Sequence, residues 1–319
     1  MPLRLMTKHD LSTVNKVLST AFSRARMEEG YKSYRVPPCR LLFLEMYWSR
    51  FPEACFVVEV RNRVIGFVFT HLWGEVGWMG PLAVLPDYQG RGYGKALVEN
   101  AVQCLIDRGV RTLGLETMPR NYRNIDFYTR MHFHPQYLTV DLIRPVGEPA
   151  NFPEQHNYRA HFFSSIRVGE QSGYLDTLET LAGRVDPHLR IRKEVELVHR
   201  FKFGDALLVL KRETPIGFAI GHTEKYYEEE RRNFLKIYLG GLHPDFQEQD
   251  VLAFLAFLER WARSARLDHV MIRIPTRQQK AFSLLLHMGF HSVHSDVRFI
   301  LQGYPEVANI SGFYLNKWE

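Results

Sequence analysis

The stretch from Leu82 to Ala96 places the strongest limit on what this chain can become. Leu82, Ala83, Val84 and Leu85 form an apolar run that Pro86 stops, and Gly90, Gly92 and Gly94 then follow at alternate positions. A helical pattern comes next, with Leu97, Ala101, Leu105 and Ile106 on one face and Gly109 as its stop. A strand is thus joined to a helix by a turn with almost no side chains. Such a turn leaves the first backbone N–H groups of the helix unpaired, and the helix dipole adds partial positive charge there. Glycine lets a ligand approach the backbone closely and tolerates positive φ. The turn therefore suits a phosphate or pyrophosphate.

Spacing separates the phosphate-binding turns. A P-loop needs Gly-x-x-x-x-Gly-Lys-Ser/Thr, but Ala96 follows Gly94-Lys95 and Gln89 stands where the first glycine belongs. A dinucleotide fingerprint needs a third glycine where this chain has Lys95. What fits is Gln/Arg-x-x-Gly-x-Gly/Ala, written here Gln89-Gly90-Arg91-Gly92-Tyr93-Gly94 after Pro86-Asp-Tyr. This resembles the acetyl-CoA signature of the GNAT N-acetyltransferase superfamily.

The resemblance implies an α/β fold on a mixed sheet and a set of site residues. Leu82, Ala83 and Val84 would offer backbone groups to the pantetheine arm, and Gln89, Gly90, Arg91, Gly92, Tyr93, Gly94 and Lys95 would hold the pyrophosphate. Arg91 either adds charge to the phosphates or is simply solvated. The run Glu116-Thr-Met-Pro-Arg-Asn-Tyr-Arg-Asn124-Ile-Asp-Phe-Tyr128 is similar to the family's second conserved stretch. By that resemblance Asn124 contacts the CoA arm, Tyr128 protonates or hydrogen-bonds the leaving sulfur, and Glu116 acts as base through water. A free phenol has a pKa of about 10, so Tyr128 can donate at neutral pH. The family often has Gly before the closing Phe of this helix; here it is His132.

The order of elements supports one complete unit in residues 1–148. A short strand at residues 3–10 precedes a helix from Leu11 to Phe22, with Asp10 as its cap and Leu11, Val14, Leu18 and Phe22 as its apolar stripe. Ser23 to Pro38 lacks periodicity and is either a substrate-side loop or a solvated connector. A helix at Leu41–Phe51, a hairpin turning at Arg61-Asn-Arg63, the glycine turn and its helix, a strand at Thr112–Met118, a helix at Asn124–Met131 and a strand near Tyr137–Ile143 complete the unit.

Residues 149–319 repeat that order. Ile65-Gly-Phe67 and His71 match Ile216-Gly-Phe218 and His222; Pro86-Asp-Tyr-Gln89 matches Pro244-Asp-Phe-Gln247; Met131-His-Phe133 pairs with Met288-Gly-Phe290. The fold expected is two tandem GNAT-like domains joined near Val146–Pro153. The charged run at Lys225–Arg232 is read as a solvated insertion. In the second copy Glu248, Gln249, Asp250 and Leu252 replace Gly90, Arg91, Gly92 and Gly94, so two carboxylates stand where a pyrophosphate would sit. Counting along the repeat puts Leu285 at the Tyr128 position and Ile274 at the Glu116 position. The second copy is thus a degenerate one, and the first the catalytic one.

Composition closes off other classes. At 319 residues with 45% hydrophobic content, the chain suits two packed domains. Apolar runs are too short for a membrane helix, and no apolar signal core opens the chain, which points to the cytoplasm. Three widely spaced cysteines, Cys39, Cys55 and Cys104, suggest neither a disulfide framework nor a metal site. Residues 1–150 carry 19 Lys and Arg against 14 Asp and Glu, an excess that suits a polyanionic co-substrate or is a plain basic surface. No basic cluster interleaved with aromatics suggests nucleic acid. The function expected is acetyl transfer from acetyl-CoA to a primary amine, without a metal. The rival is a non-catalytic acetyl-CoA-binding sensor. Acceptor identity and oligomeric state are not written in these motifs.

Overall fold

The protein is described here by a computed structural model covering residues 3–147, 157–227, 233–308 and 311–316. In the first half β1 (Leu3–Leu5), α1 (Leu11–Glu28) and α2 (Leu41–Arg50) precede an antiparallel run of β2 (Phe56–Val60), β3 (Arg63–Trp73) and β4 (Val76–Val84). Then come α3 (Tyr93–Asp107), β5 (Thr112–Thr117), α4 (Tyr122–Arg130) and β6 (Phe133–Pro145). The second half repeats this as β7 (Tyr158–Phe162), α5 (Gln171–Val185), α6 (Arg192–Arg200), β8 (Gly204–Lys211), β9 (Thr214–His222), β10 (Phe234–Leu242), α7 (Glu248–Ser264), β11 (His269–Pro275), α8 (Gln279–His287) and β12 (His291–Leu301). A last strand, β13 (Phe313–Asn316), has no counterpart among the described residues of the first half. The expected boundary at 148/149 and the end of the Lys225–Arg232 insertion fall outside the described residues.

Local chemistry explains most boundaries. The hairpin between β2 and β3 turns on Arg61 and Asn62, both at positive φ. Phe67 and Phe69 of β3 face one core while Val68, between them, faces another, as the two-residue period of a strand demands. Asp10 holds the N-cap position of α1, but its side chain makes no cap hydrogen bond there: its carboxylate accepts from the Thr7 N–H at 2.8 Å and from Arg4, closing the preceding turn. Helix α1 also runs past Phe22 to Glu28. Its last turn carries no apolar stripe, but Ala25, Arg26, Met27 and Glu28 are good helix formers and Arg24 pairs with Glu28 at 2.7 Å. Part of the segment expected as a loop is therefore helix.

The strand order was beyond the repeat. All strands join one sheet in the order β1-β2-β3-β4-β5-β12-β6-β11-β10-β9-β8-β7, with β13 on β10. The sixth strand of each half thus lies beside the fifth strand of the other: β12 pairs with β5, β6 pairs with β11, and β6 and β12 pair with one another. The register also corrects the sequence count. Val76 of β4 stands opposite Thr112, and Phe234 of β10 opposite His269, which makes Arg273, not Ile274, the counterpart of Glu116.

Charge is matched across this exchange. Arg298 stands directly opposite Glu116 and Arg273 directly opposite Asp141. Arg298 donates to Glu116 from Nε at 3.0 Å and Nη2 at 2.5 Å; Arg273 donates to Glu116 from Nη1 at 2.5 Å and to Asp141 from Nε at 2.8 Å. Asp296 and Glu306 complete the network, and both guanidiniums are fully buried. On one face of the sheet the halves share a core in which α2 meets α6. There the buried Glu194 accepts from Arg50 at 2.5 Å, Trp73 Nε1 at 3.0 Å and Tyr238 Oη at 2.8 Å.

Candidate active site

Strand β4 is paired with β3 along its length, but with β5 only from Val76 to Met79. Beyond Met79 the two strands diverge, and the β4 edge from Gly80 to Val84 opens on a cleft of about 1400 Å³. Leu82, Ala83 and Val84 line it. The Val84 carbonyl accepts from Gln89 Nε2 at 2.9 Å, so Gln89 ties the turn back to the strand. Gly90 and Gly92 have φ of +73° and +81°, conformations that L side chains resist. Gly92 is the cap of α3, and no side chain there satisfies the first amides of the helix. Gly94 plays a different part: it is helical, and a Cβ there would meet Phe127 Cζ at 3.6 Å.

Gln89, Gly90, Gly92, Tyr93, Gly94 and Lys95 all line the cleft. Arg91 does not; its guanidinium lies over the Tyr88 ring at 5.5 Å. On the far wall Asn121 caps α4 by accepting from the Asn124 N–H at 2.9 Å, and Asn124 Nδ2 donates to Thr117 Oγ1 at 3.1 Å. Asn124 and Tyr128 both face the cleft. Burial holds the Tyr128 phenol well above the usual tyrosine range, so it stays protonated. His132 is not a cleft residue: it takes φ of +63° at the end of α4, where its counterpart Gly289 has +86°.

Glu116 is the sequence expectation that needs correction. It reaches the cleft wall, but its side chain is only 2% exposed and both its oxygens are held by Arg273 and Arg298. A carboxylate with both oxygens held by two guanidiniums has neither turned to a substrate in the cleft. Its role is to join the halves beneath the cleft.

Three of the cleft residues that the sequence reading did not name as site residues carry ionisable groups from other parts of the fold. His294 and Asp296 reach the cleft from β12, in the other half, with His294 Nε2 at 3.2 Å from Asp296. Their alternation marks one face of a strand, but no local signal says beside which strand it lies. Glu29, just past α1, is the third. Over the cleft, Arg123 pairs with Glu28 at 3.2 Å and Arg120 lies over Tyr31 at 5.2 Å, tying α1 to the start of α4.

A family model described as the acetyltransferase (GNAT) family matches residues 19–133, which contain the turn, the open strand edge and the Asn124–Tyr128 helix. Residues 19–133 thus match the GNAT family. A tandem GNAT protein from the clavulanic acid biosynthesis pathway superposes with a TM-score of 0.60 at 15% identity, over 95% of this chain and 99% of its own. That likeness concerns the fold, and it extends the GNAT architecture through both halves. An uncharacterized N-acetyltransferase of Methanocaldococcus jannaschii is 28% identical over 151 residues, covering 45% of this chain and 65% of its own length. An L-2,4-diaminobutyric acid acetyltransferase of Nocardia farcinica is 28% identical over 130 residues, covering 39% and 66%. The chain thus spans under two thirds of these relatives, and its likeness to GNAT acetyltransferases supports acyl transfer as the class of chemistry.

The geometry fits what the family uses. A strand edge not paired beyond Met79, a turn whose glycines leave helix amides without a side-chain cap, and a protonated phenol line one cleft. No described helix is long and apolar enough to cross a membrane.

Proposed function

We propose that the chain is an acetyl-CoA-dependent N-acetyltransferase acting on a primary amine, with the first half carrying the reaction. The observation that carries this reading is that the free β4 edge, the open amides of α3 and Tyr128 all line one cleft. Acetyl-CoA supplies an activated acyl group. The turn from Gln89 to Lys95 holds its phosphates through backbone amides, with Lys95 adding charge at the cleft wall. Leu82, Ala83 and Val84 orient the pantetheine by strand-like hydrogen bonds, and Asn124 faces the same arm. Tyr128 donates its proton to the departing sulfur, which a phenol kept protonated by its buried position can do at neutral pH. An amine acceptor agrees with the name of the Nocardia farcinica relative, whose diamino acid is an amine substrate. The proposed division of the chain is 1–148 for the catalytic unit and 149–319 for the degenerate one.

Tyr128→Phe tests this. Thiol release is measured with acetyl-CoA and a panel of primary amines, including 1,4-diaminobutane and L-2,4-diaminobutyrate. The variant is expected to bind acetyl-CoA like the wild type while kcat drops about 100-fold. A wild type that binds acetyl-CoA but releases no thiol with any amine would instead favour a non-catalytic sensor.

A further inference from the structure

With Glu116 committed to two arginines, the cleft still needs a group to take the proton from an ammonium. Glu29 meets the requirement on independent grounds. It lines the cleft, and both of its carboxylate oxygens are buried with no hydrogen-bond partner. It also sits where the chain leaves the C-terminal end of α1, the negative end of the helix dipole. A buried anion at that position is costly unless something cationic completes it. Its surroundings are mixed. Arg26 and Glu28 come from α1, Arg120 and Asn121 from the segment before α4, Tyr31 from the chain after α1, and His294 and Asp296 from β12. Arg26 and Arg120 favour the charged form of Glu29 at a distance; Asn121 is near enough to help slightly but not in hydrogen-bond geometry. Arg120 is spread over the Tyr31 ring, while Asp296 is bonded to Arg273 and His294. Among the described residues that line Tyr128's cleft, Glu29 is the carboxylate left with both oxygens without a hydrogen-bond partner.

We propose that Glu29 receives the acceptor: it binds the ammonium of a cationic aliphatic amine and takes its first proton, releasing it to solvent. The neutral nitrogen then forms the N–C bond to the thioester carbon as the C–S bond breaks. The sulfur takes the Tyr128 proton, and the second proton leaving the nitrogen restores the phenol. This deepens the amine-acetylation reading above and rests on it. It also gives the second half a share in the site, since His294 and Asp296 of β12 line the same cleft as Glu29.

The test is Glu29→Gln in the full chain, beside His294→Gln, with 1,4-diaminobutane and L-2,4-diaminobutyrate as acceptors. Burial raises the Glu29 carboxyl above the usual carboxylate range, against the pull of Arg26 and Arg120. Because the base works deprotonated, wild-type kcat/KM for the amine rises with pH through that raised value. Glu29→Gln is expected to bind acetyl-CoA normally, lose about 100-fold in kcat/KM for the amine, and lose that acidic limb. It is also expected to melt no lower than the wild type, since it removes a buried unpaired charge. Amine-induced thermal stabilisation should vanish with it. A wild-type rate and an unchanged acidic limb in Glu29→Gln would overturn the assignment while leaving acetyl transfer intact. Loss of the limb in His294→Gln alone would do the same. Absence of thiol release from the wild type would overturn the acetyl-transfer reading, and this proposal with it.

Discussion

In the first half, β4 leaves β5 after Met79 and its edge faces a cleft; in the second, β10 leaves β11 after Ile237, and β13 takes up the edge. Leu239–Leu242 pair with Asn316–Phe313 where, in the first half, Leu82–Val84 stand open. The Tyr314 N–H is held by Gln278 at 2.8 Å, so the filling strand is pinned in place. The helix that follows differs too. Gly92 leaves the amides of α3 uncapped, whereas Asp250 turns back to accept from the Gln247 N–H at 2.8 Å. Burial opposes ionisation of Asp250, but the Gln247 amide, Lys211 and Tyr158 hold its carboxyl below the usual range. One fold thus serves two ends: the same divergence of strands is a binding site when left open and a structural joint when its own chain fills it.

The comparison would break most completely if the first half stood alone. Residues 1–148 expressed by themselves lack β12, so β5 and β6 lose the strand between them, and Glu116 and Asp141 lose their guanidiniums. This fragment is expected to be unfolded or aggregated by circular dichroism. Co-expression with residues 154–319 should restore a folded, acetyl-CoA-binding complex. A well-folded fragment with full binding would mean that the exchange is dispensable.

Gly92→Glu gives the open turn the kind of acidic residue its counterpart carries at Asp250. Calorimetry should then detect no acetyl-CoA site, because the carboxylate repels the phosphates and a left-handed backbone resists the side chain. One full-strength site remaining in this variant would move the binding site to the second half.

Smaller in effect is Glu116→Gln, which separates a joint from a base. Losing one partner of a buried ion-pair network should lower stability by about 3–5 kcal/mol, seen as a lower midpoint in urea. The acidic limb of kcat/KM should survive in whatever protein remains folded. Its disappearance would restore Glu116 as the proton acceptor.

Much of this molecule could be read along the chain. The glycine turn, the helix it opens, the Asn124–Tyr128 helix and the degenerate second turn all rest on neighbours within a few residues. Where reading failed, the deciding contact was distant. The end of α1 lacks a stripe because it faces a cleft, not a core. Arg273 was missed as the counterpart of Glu116 because a one-residue slip is invisible until strands are paired. Glu29 lay unnamed in the Ser23–Pro38 segment, read as either a substrate-side loop or a solvated connector, and only the cleft around it shows its carboxylate buried without a partner.

The sequence by itself determined which segments become strands and helices and which half keeps a turn fit for a diphosphate, since periodicity, glycine and charge act locally. Tertiary structure alone decided that β6 and β12 trade neighbours. Every strand offers the same backbone hydrogen bonds to any partner, so the choice falls to what is buried between them. Here the first half brings Glu116 and Asp141, the second brings Arg273 and Arg298, and only the crossed arrangement sets each acid against a base.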